Sequence, residues 1–110
     1  MTQKDLHNFK KILENIKYHA TKENLRITQH CQQEMVEEDI KLSEVLEAIS
    51  MGEILENYPE HKRGPCCLVN GITNNGENIH IVCTTSLPLL VIITVYKPKH
   101  PKWITPTQRR

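Results

Sequence analysis

Apolar residues punctuate the first fifty positions at helical spacing. Between residues 4 and 20, Leu6, Phe9, Ile12, Leu13 and Ile16 recur every three to four positions. That spacing places them on one stripe of an amphipathic α-helix. Thr2, with Asp5 three residues later, has the form of a capping box. The polar stretch TKENLRIT connects onward, with room for a short extended piece. HCQQEMVEE, residues 30–38, predicts a second, shorter helix. In LSEVLEAISMG, Leu42, Val45, Leu46 and Ile49 repeat the pattern, and Gly52 is placed to end the helix in the left-handed conformation.

After Gly52 the period changes. EILENY, CCLVNGIT, NIHIVCTT and LLVIITVY are four strand candidates, rich in β-branched residues and bounded by turn formers. Asn75-Gly76 predicts a two-residue hairpin turn, because both residues tolerate positive φ. Ser86-Leu87-Pro88 supplies the next turn, since proline cannot donate to a strand ladder. Helices followed by an antiparallel meander define an α+β domain. N-terminal helices over 4–51 are expected to pack on a four-stranded, mainly antiparallel sheet over 53–97, with a C-terminal arm over 98–110.

The last hairpin carries polar groups inside an apolar frame. A loop centred near Leu87 sets His80 opposite Thr94 and Asn78 opposite Tyr96. Opposed residues share a face, so Asn78, His80, Thr94 and Tyr96 form one polar cluster in this register. The Asn75-Gly76 turn sets Gly71 opposite His80 and leaves space beside the imidazole. A one-residue slip in either hairpin removes this geometry. Two readings of His80 stand side by side. One is general acid–base chemistry near neutral pH; the other is a half-buried strand residue hydrogen-bonded to Thr94.

Composition adds boundaries to this picture. The chain has 110 residues, 38% hydrophobic and only 5% aromatic, so Leu, Ile and Val must fill a small core. No apolar run approaches the roughly 20 residues of a membrane span, and no apolar stretch follows the N-terminal lysines to make a signal peptide. The expected location is the cytoplasm. Cys31, Cys66, Cys67 and Cys83 form no C-x-x-C pair, which points to reduced thiols rather than a disulfide framework. Their spacing, with His30, matches no standard zinc finger, and no cofactor or metal is expected.

Net charge is +1, but it is segregated along the chain: +3 over residues 1–26, −8 over 27–60 and +6 over 61–110. Such segregation fits a polyanion-facing side and a separate acidic side, or simply charges that coat helices and termini. Tyr58, His61, Lys62 and Arg63 close the first strand and open a loop, where the two cations can contact phosphate or lie solvated. Lys97 follows the cluster of the last hairpin and can neutralise a nearby phosphate. His30 opens the second helix, as a reactive imidazole or an exposed one. Trp103 can stack on a base or pin the arm to the core.

Several of these stretches together carry a resemblance. ITQHCQQEMVEEDIKLSEVLEAISMGEILENYPE, GPCCLVNG, NIHIV and IITVYKPKHPKW, spanning residues 27–103, resemble a bacterial and archaeal family of small proteins known as a domain of unknown function (DUF4258-like). That family is grouped with the barnase–EndoU–colicin–RelE nuclease superfamily. The resemblance implies a RelE-like fold and a type II toxin: a metal-independent ribonuclease acting on RNA and neutralised by an antitoxin, itself of a small zinc-binding kind. It implies catalytic roles for His80, His30 and Tyr96, and substrate contacts from Tyr58, Lys62, Arg63, Thr94 and Lys97. Where some members carry arginines after the first histidine, this chain has Glu34, Glu37 and Glu38. That departure, with the low net charge, favours a second reading, a non-catalytic binding module on the same fold. A zinc-binding regulator built on His30 and the cysteines is a third.

Overall fold

The computed structural model describes residues 3–62, 64–85 and 89–110, with side chains from Asn8 onward. The Thr2–Asp5 capping box and the Ser86-Leu87-Pro88 turn lie outside the described residues and side chains. Three helices come first: α1 (Gln3–Thr21), α2 (Gln29–Glu37) and α3 (Leu42–Ser50). A short strand, β1 (Leu25–Ile27), separates α1 from α2. Strands β2 (Glu53–Tyr58), β3 (Cys66–Ile72), β4 (Asn78–Thr84) and β5 (Leu90–Tyr96) follow, and β6 (Trp103–Thr105) and β7 (Gln108–Arg109) form a small terminal hairpin.

The main sheet has five strands in the order β1-β5-β4-β3-β2, not four. The extra strand is β1, drawn from the connector. It runs parallel to β5, with Leu25 opposite Leu90 and Ile27 opposite Ile92. All other pairs in the sheet are antiparallel. Three residues are too few to display strand alternation, so only the distant partner reveals β1.

Alternation divides the sheet into two faces. On one, Cys67, Val69, Ile79, Ile81, Cys83 and Val95 pack against Ile16 and Ala20 of α1 and Val45, Ala48 and Ile49 of α3. Burying each such Ile or Val contributes on the order of 1.5–3 kcal/mol. Gly71 belongs to this face, and a Cβ there would lie 1.9 Å from the Ala48 carbonyl oxygen. Its lack of a side chain lets α3 lie directly on β3. Gly52 does not take the left-handed conformation at the end of α3. Met51 closes the helix by donating to the Glu47 carbonyl, and the space at Gly52 accommodates Val69.

The β3–β4 turn corrects the expected register. Gly76, at φ 81°, donates to the Thr73 carbonyl over 2.9 Å, and Thr73 donates to the Glu77 carbonyl over 2.9 Å. This is a three-residue loop ending in a left-handed glycine rather than a two-residue turn. The extra residue slips the ladder by one, so Asn70, not Gly71, faces His80. In the next hairpin His80 pairs with Tyr96, and Thr94 with Val82. That is a two-residue slip from expectation, which keeps the same side chains on the same face.

The second face of the sheet carries the terminal hairpin over its β2–β4 end. Trp103 is buried there at 3% exposure, and Arg109 makes two 2.8 Å bonds to the Glu56 carboxylate. Charges segregated in sequence are therefore interleaved in space. Arg109–Glu56 and Lys99–Glu38 join the basic C-terminal half to acids of the middle segment, and Lys97 pairs with Glu77, the one acid of its own half. Among the described residues no helix is long and apolar enough to cross a membrane.

Candidate functional site

Helix α2 is docked on the sheet edge by its own polar side chains. β1 ends at Ile27, opposite Ile92, and among the described residues no strand pairs with the outer edge of β5 beyond that point. α2 fills the gap. Thr28, its N-cap, accepts from the Cys31 N–H at 3.0 Å and donates to the Ile93 carbonyl at 2.9 Å. Glu34 Oε1 accepts from the Val95 N–H at 3.2 Å and from the Thr94 hydroxyl. Glu38 Oε1 accepts from the Lys97 N–H at 3.1 Å. Carboxylates four residues apart share one helix face, and here that face replaces a strand. Cys31 points into the core, fully buried. His30, one residue earlier, stays on the surface with its side chain 63% exposed and its Nε2 3.3 Å from Glu34 Oε1.

His30 borders an open cleft of about 590 Å³ on the second face of the sheet, lined also by Tyr58, His61, Lys62, Val82, Ile93 and Thr94. The floor depends on a β-bulge. Val82 pairs with Thr94 and Cys83 with Ile92, which leaves Ile93 as the extra residue. Both Ile93 and Thr94 consequently line the same cavity, a local re-aiming of side chains that bulges permit. The far wall follows from the turn after β2. The His61 N–H points to the Tyr58 carbonyl at 3.4 Å, and Gly64 donates to the His61 carbonyl at 2.8 Å, which folds His61 and Lys62 back over the strand end. Tyr58 donates its hydroxyl to Glu56. Burial, with the neighbouring Glu56 carboxylate, pushes the phenol up to about 12, so it stays protonated at neutral pH.

His80 lies elsewhere on that face, fully buried beneath the terminal hairpin. Its Nε2 is 2.6 Å from the Pro106 carbonyl oxygen and its Nδ1 3.1 Å from the Tyr96 hydroxyl. A carbonyl only accepts, so Nε2 carries the proton and Nδ1 accepts from the phenol. The Trp103 ring meets the imidazole edge-on, with centroids 4.3 Å apart. Burial lowers the His80 pKa below 6.5, against the opposing pull of the Pro106 carbonyl and Glu56. Both nitrogens are engaged, and the ring does not line the cleft.

Of the residues singled out in the sequence, the cleft gathers His30, Tyr58, Lys62 and Thr94. Tyr96 and Lys97 line a separate depression with Glu34, Glu38, Lys99, Lys102 and Trp103. Arg63 lies outside the described residues. The polar cluster built on His80 is divided: Thr94 turns to Glu34 and the cleft, while His80 and Tyr96 bind each other. His61, named in the sequence beside Tyr58 and Lys62 but given no role there, joins them, and Val82 and Ile93 are the additions. Nothing in the sequence marks the bulge that turns Ile93 inward. His30 and Cys31 do not converge on one site, since Cys31 is buried in the core while His30 is exposed on the surface. Among the described residues no group of three or more His, Cys, Asp or Glu side chains is placed to hold a metal.

The cleft thus brings two imidazoles, a protonated phenol and an ammonium around an apolar floor. Such a set can move protons, stabilise an anion and seat a planar ring. In comparison with known proteins, residues 27–97 match the model of a family described as a domain of unknown function (DUF4258). No curated protein and no solved structure matches.

Proposed function

The chain belongs to the DUF4258 family, and from that premise we propose that it is a metal-independent endoribonuclease of the type II toxin class, acting on RNA in the cytoplasm and held in check by an antitoxin. One observation carries the reading: His30, Tyr58, His61 and Lys62 converge on a single solvent-open cleft. RNA cleavage without metal needs a base for the 2′-hydroxyl, an acid for the leaving 5′-oxygen and a cation for the phosphorane. His30 takes the 2′ proton, and the 2′-oxygen attacks phosphorus. His61 gives a proton to the departing 5′-oxygen, leaving a 2′,3′-cyclic phosphate. Lys62 balances the charge on the non-bridging oxygens. Tyr58 and the floor of Val82 and Ile93 seat the base beside the scissile bond.

In this reading the helices on one face and the cleft on the other belong to a RelE-like member of the barnase–EndoU–colicin–RelE superfamily. His80 and Tyr96 support the fold rather than the chemistry, and Lys97 acts at most at a distance. The test is cleavage of a single-stranded RNA oligonucleotide by the purified protein in EDTA. Products should end in a cyclic phosphate, and a 2′-deoxy substitution at the cleaved position should abolish them. His61→Ala should lower the rate about 10²- to 10⁴-fold. Intact RNA under all conditions removes the proposal.

A second reading, a non-catalytic binding module, draws on the ion pairs. Lys97, Lys99 and Arg109 are each matched by a carboxylate, which limits the positive field available to a polyanion. Saturable RNA binding without any product favours that module.

A further inference from the structure

We infer that Glu34 is the positioning residue of the cleft: it holds the His30 imidazole with its proton on Nε2 and leaves Nδ1 as the basic nitrogen. The inference rests on the catalytic reading of the cleft and deepens it. His30 by itself is poorly constrained, with 63% of its side chain exposed at the first turn of a short helix. An exposed imidazole samples both tautomers and several rotamers, and general base catalysis tolerates neither well. Glu34 removes that freedom. It follows His30 by one helical turn, and its Oε1 lies 3.3 Å from His30 Nε2.

That carboxylate is itself fixed from the far side. The Thr94 hydroxyl and the Val95 N–H, at 3.2 Å, both donate to the same Oε1. The chain of contacts runs from the β5 backbone through Glu34 to the imidazole. A base oriented by a third, anchored group is the general logic of activated sites.

The structure contains its own control. Glu38 does the same edge-capping work one turn later, accepting from the Lys97 N–H at 3.1 Å, but it binds Lys99 rather than a histidine. If Glu34 matters only as an edge cap, the two residues are equivalent. If it matters through His30, they are not.

The experiment compares Glu34→Gln with Glu38→Gln in the full-length protein. Each amide keeps a carbonyl oxygen for the β5 donors and loses the charge, which at Glu34 leaves His30 facing a neutral, weaker acceptor. The imidazole nitrogen chemical shifts of His30, measured in ¹⁵N-labelled protein at a pH where the ring is neutral, should show the Nε2–H tautomer in wild type and Glu38→Gln. They should show a mixture of tautomers in Glu34→Gln. RNA cleavage should fall about 10- to 100-fold in kcat with KM unchanged in Glu34→Gln, and stay within about twofold in Glu38→Gln. Thr94→Val, which keeps the charge and removes its hydroxyl anchor, should give an intermediate tautomer mixture and covers the case in which Glu34→Gln does not fold. An unchanged His30 tautomer in Glu34→Gln, or equal losses of cleavage in the two glutamine variants, overturns the inference. A wild-type protein with the expected tautomer and no cleavage sinks the nuclease reading instead, and with it any catalytic use of the pair.

Discussion

Two histidines occupy the same molecule in opposite conditions. His80 is fully buried, with one ring nitrogen on the Pro106 carbonyl, the other on the Tyr96 hydroxyl and the Trp103 ring against its side. His30 is exposed on a cleft, with one nitrogen directed at Glu34. The side chains are chemically identical. What separates them is how much of their hydrogen-bonding capacity the fold consumes. A buried polar group must be satisfied by partners inside the fold, and a substrate reaches it only by displacing them. An exposed one keeps that capacity but needs orientation. The sealed end of this sheet face spends its polar residues on stability; the open end keeps them available.

The sharpest way to break this contrast is to remove each imidazole in turn. His30→Ala should leave stability within about 0.5 kcal/mol, as for most surface changes, yet reduce the proposed RNA cleavage about 10²- to 10⁴-fold. Urea denaturation and initial rates on one preparation report both. A large loss of stability with His30→Ala would place it with His80, contrary to the division drawn above.

His80→Leu is the mirror image. It strips the Pro106 carbonyl and the Tyr96 hydroxyl of their partner inside a packed environment, and each orphaned buried group costs about 1–3 kcal/mol. A total of about 2–6 kcal/mol, towards the lower end because Tyr96 and Pro106 are only half-buried, should appear in the urea midpoint, while cleavage per folded molecule stays near wild type. Lost cleavage in a stable His80→Leu protein would return His80 to the chemistry.

The pH dependence sharpens the same comparison. Burial holds the folded His80 pKa below the ordinary 6.5, so the unfolded chain takes up the proton first. Its stabilising contribution is complete above pH 6.5 and declines as pH falls through the folded value. The groups that surround it are Tyr96 from β5, Glu56 from β2, and Lys102 and Arg109 from the terminal arm. Glu56 acts lower down. The Arg109 bond is the main cause that brings its carboxyl down to about 2, so its contribution holds above pH 4.5 and is lost towards pH 2. Urea midpoints should therefore fall between pH 7.5 and 5.5, and His80→Gln should flatten that window and no other.

Arg109→Ala should give the smallest effect, about 1 kcal/mol or less, because the Arg109 side chain of its ion pair is 40% exposed. The change should appear as faster hydrogen exchange in the terminal hairpin rather than as global unfolding. Protection lost across β3 and β4 would show that the hairpin holds the sheet itself.

Much of this was legible in the sequence because it is local. The stripe of Ile12 and Ile16 and the alternation of Ile79 and Ile81 each fix an element and its buried face through the period of their own segment. His30, Tyr58, Lys62 and Thr94 could be singled out by residue type and position. β1 could be read only as a short extended piece, since three residues carry no period that places them in the sheet. Tyr96 was legible as a neighbour of His80, but the residues directly opposite the imidazole, Asn70 and Tyr96, were not. Their register depends on a loop one residue longer than Asn75-Gly76 suggests, and on an unpaired Ile93 that no local pattern announces.

The chain by itself therefore determined which segments become helix or strand and which faces they bury, because those follow from hydrophobic spacing along a few turns. It also determined which side chains are chemically able to act. Only the tertiary structure decided which of them are free to do so. That choice was made by contacts between residues far apart in sequence. Pro106 and Trp103 close over His80, while Glu34, anchored to β5, turns His30 toward the open cleft. Satisfaction of a polar group is a property of what surrounds it in space, and the spacing of residues along a chain does not contain it.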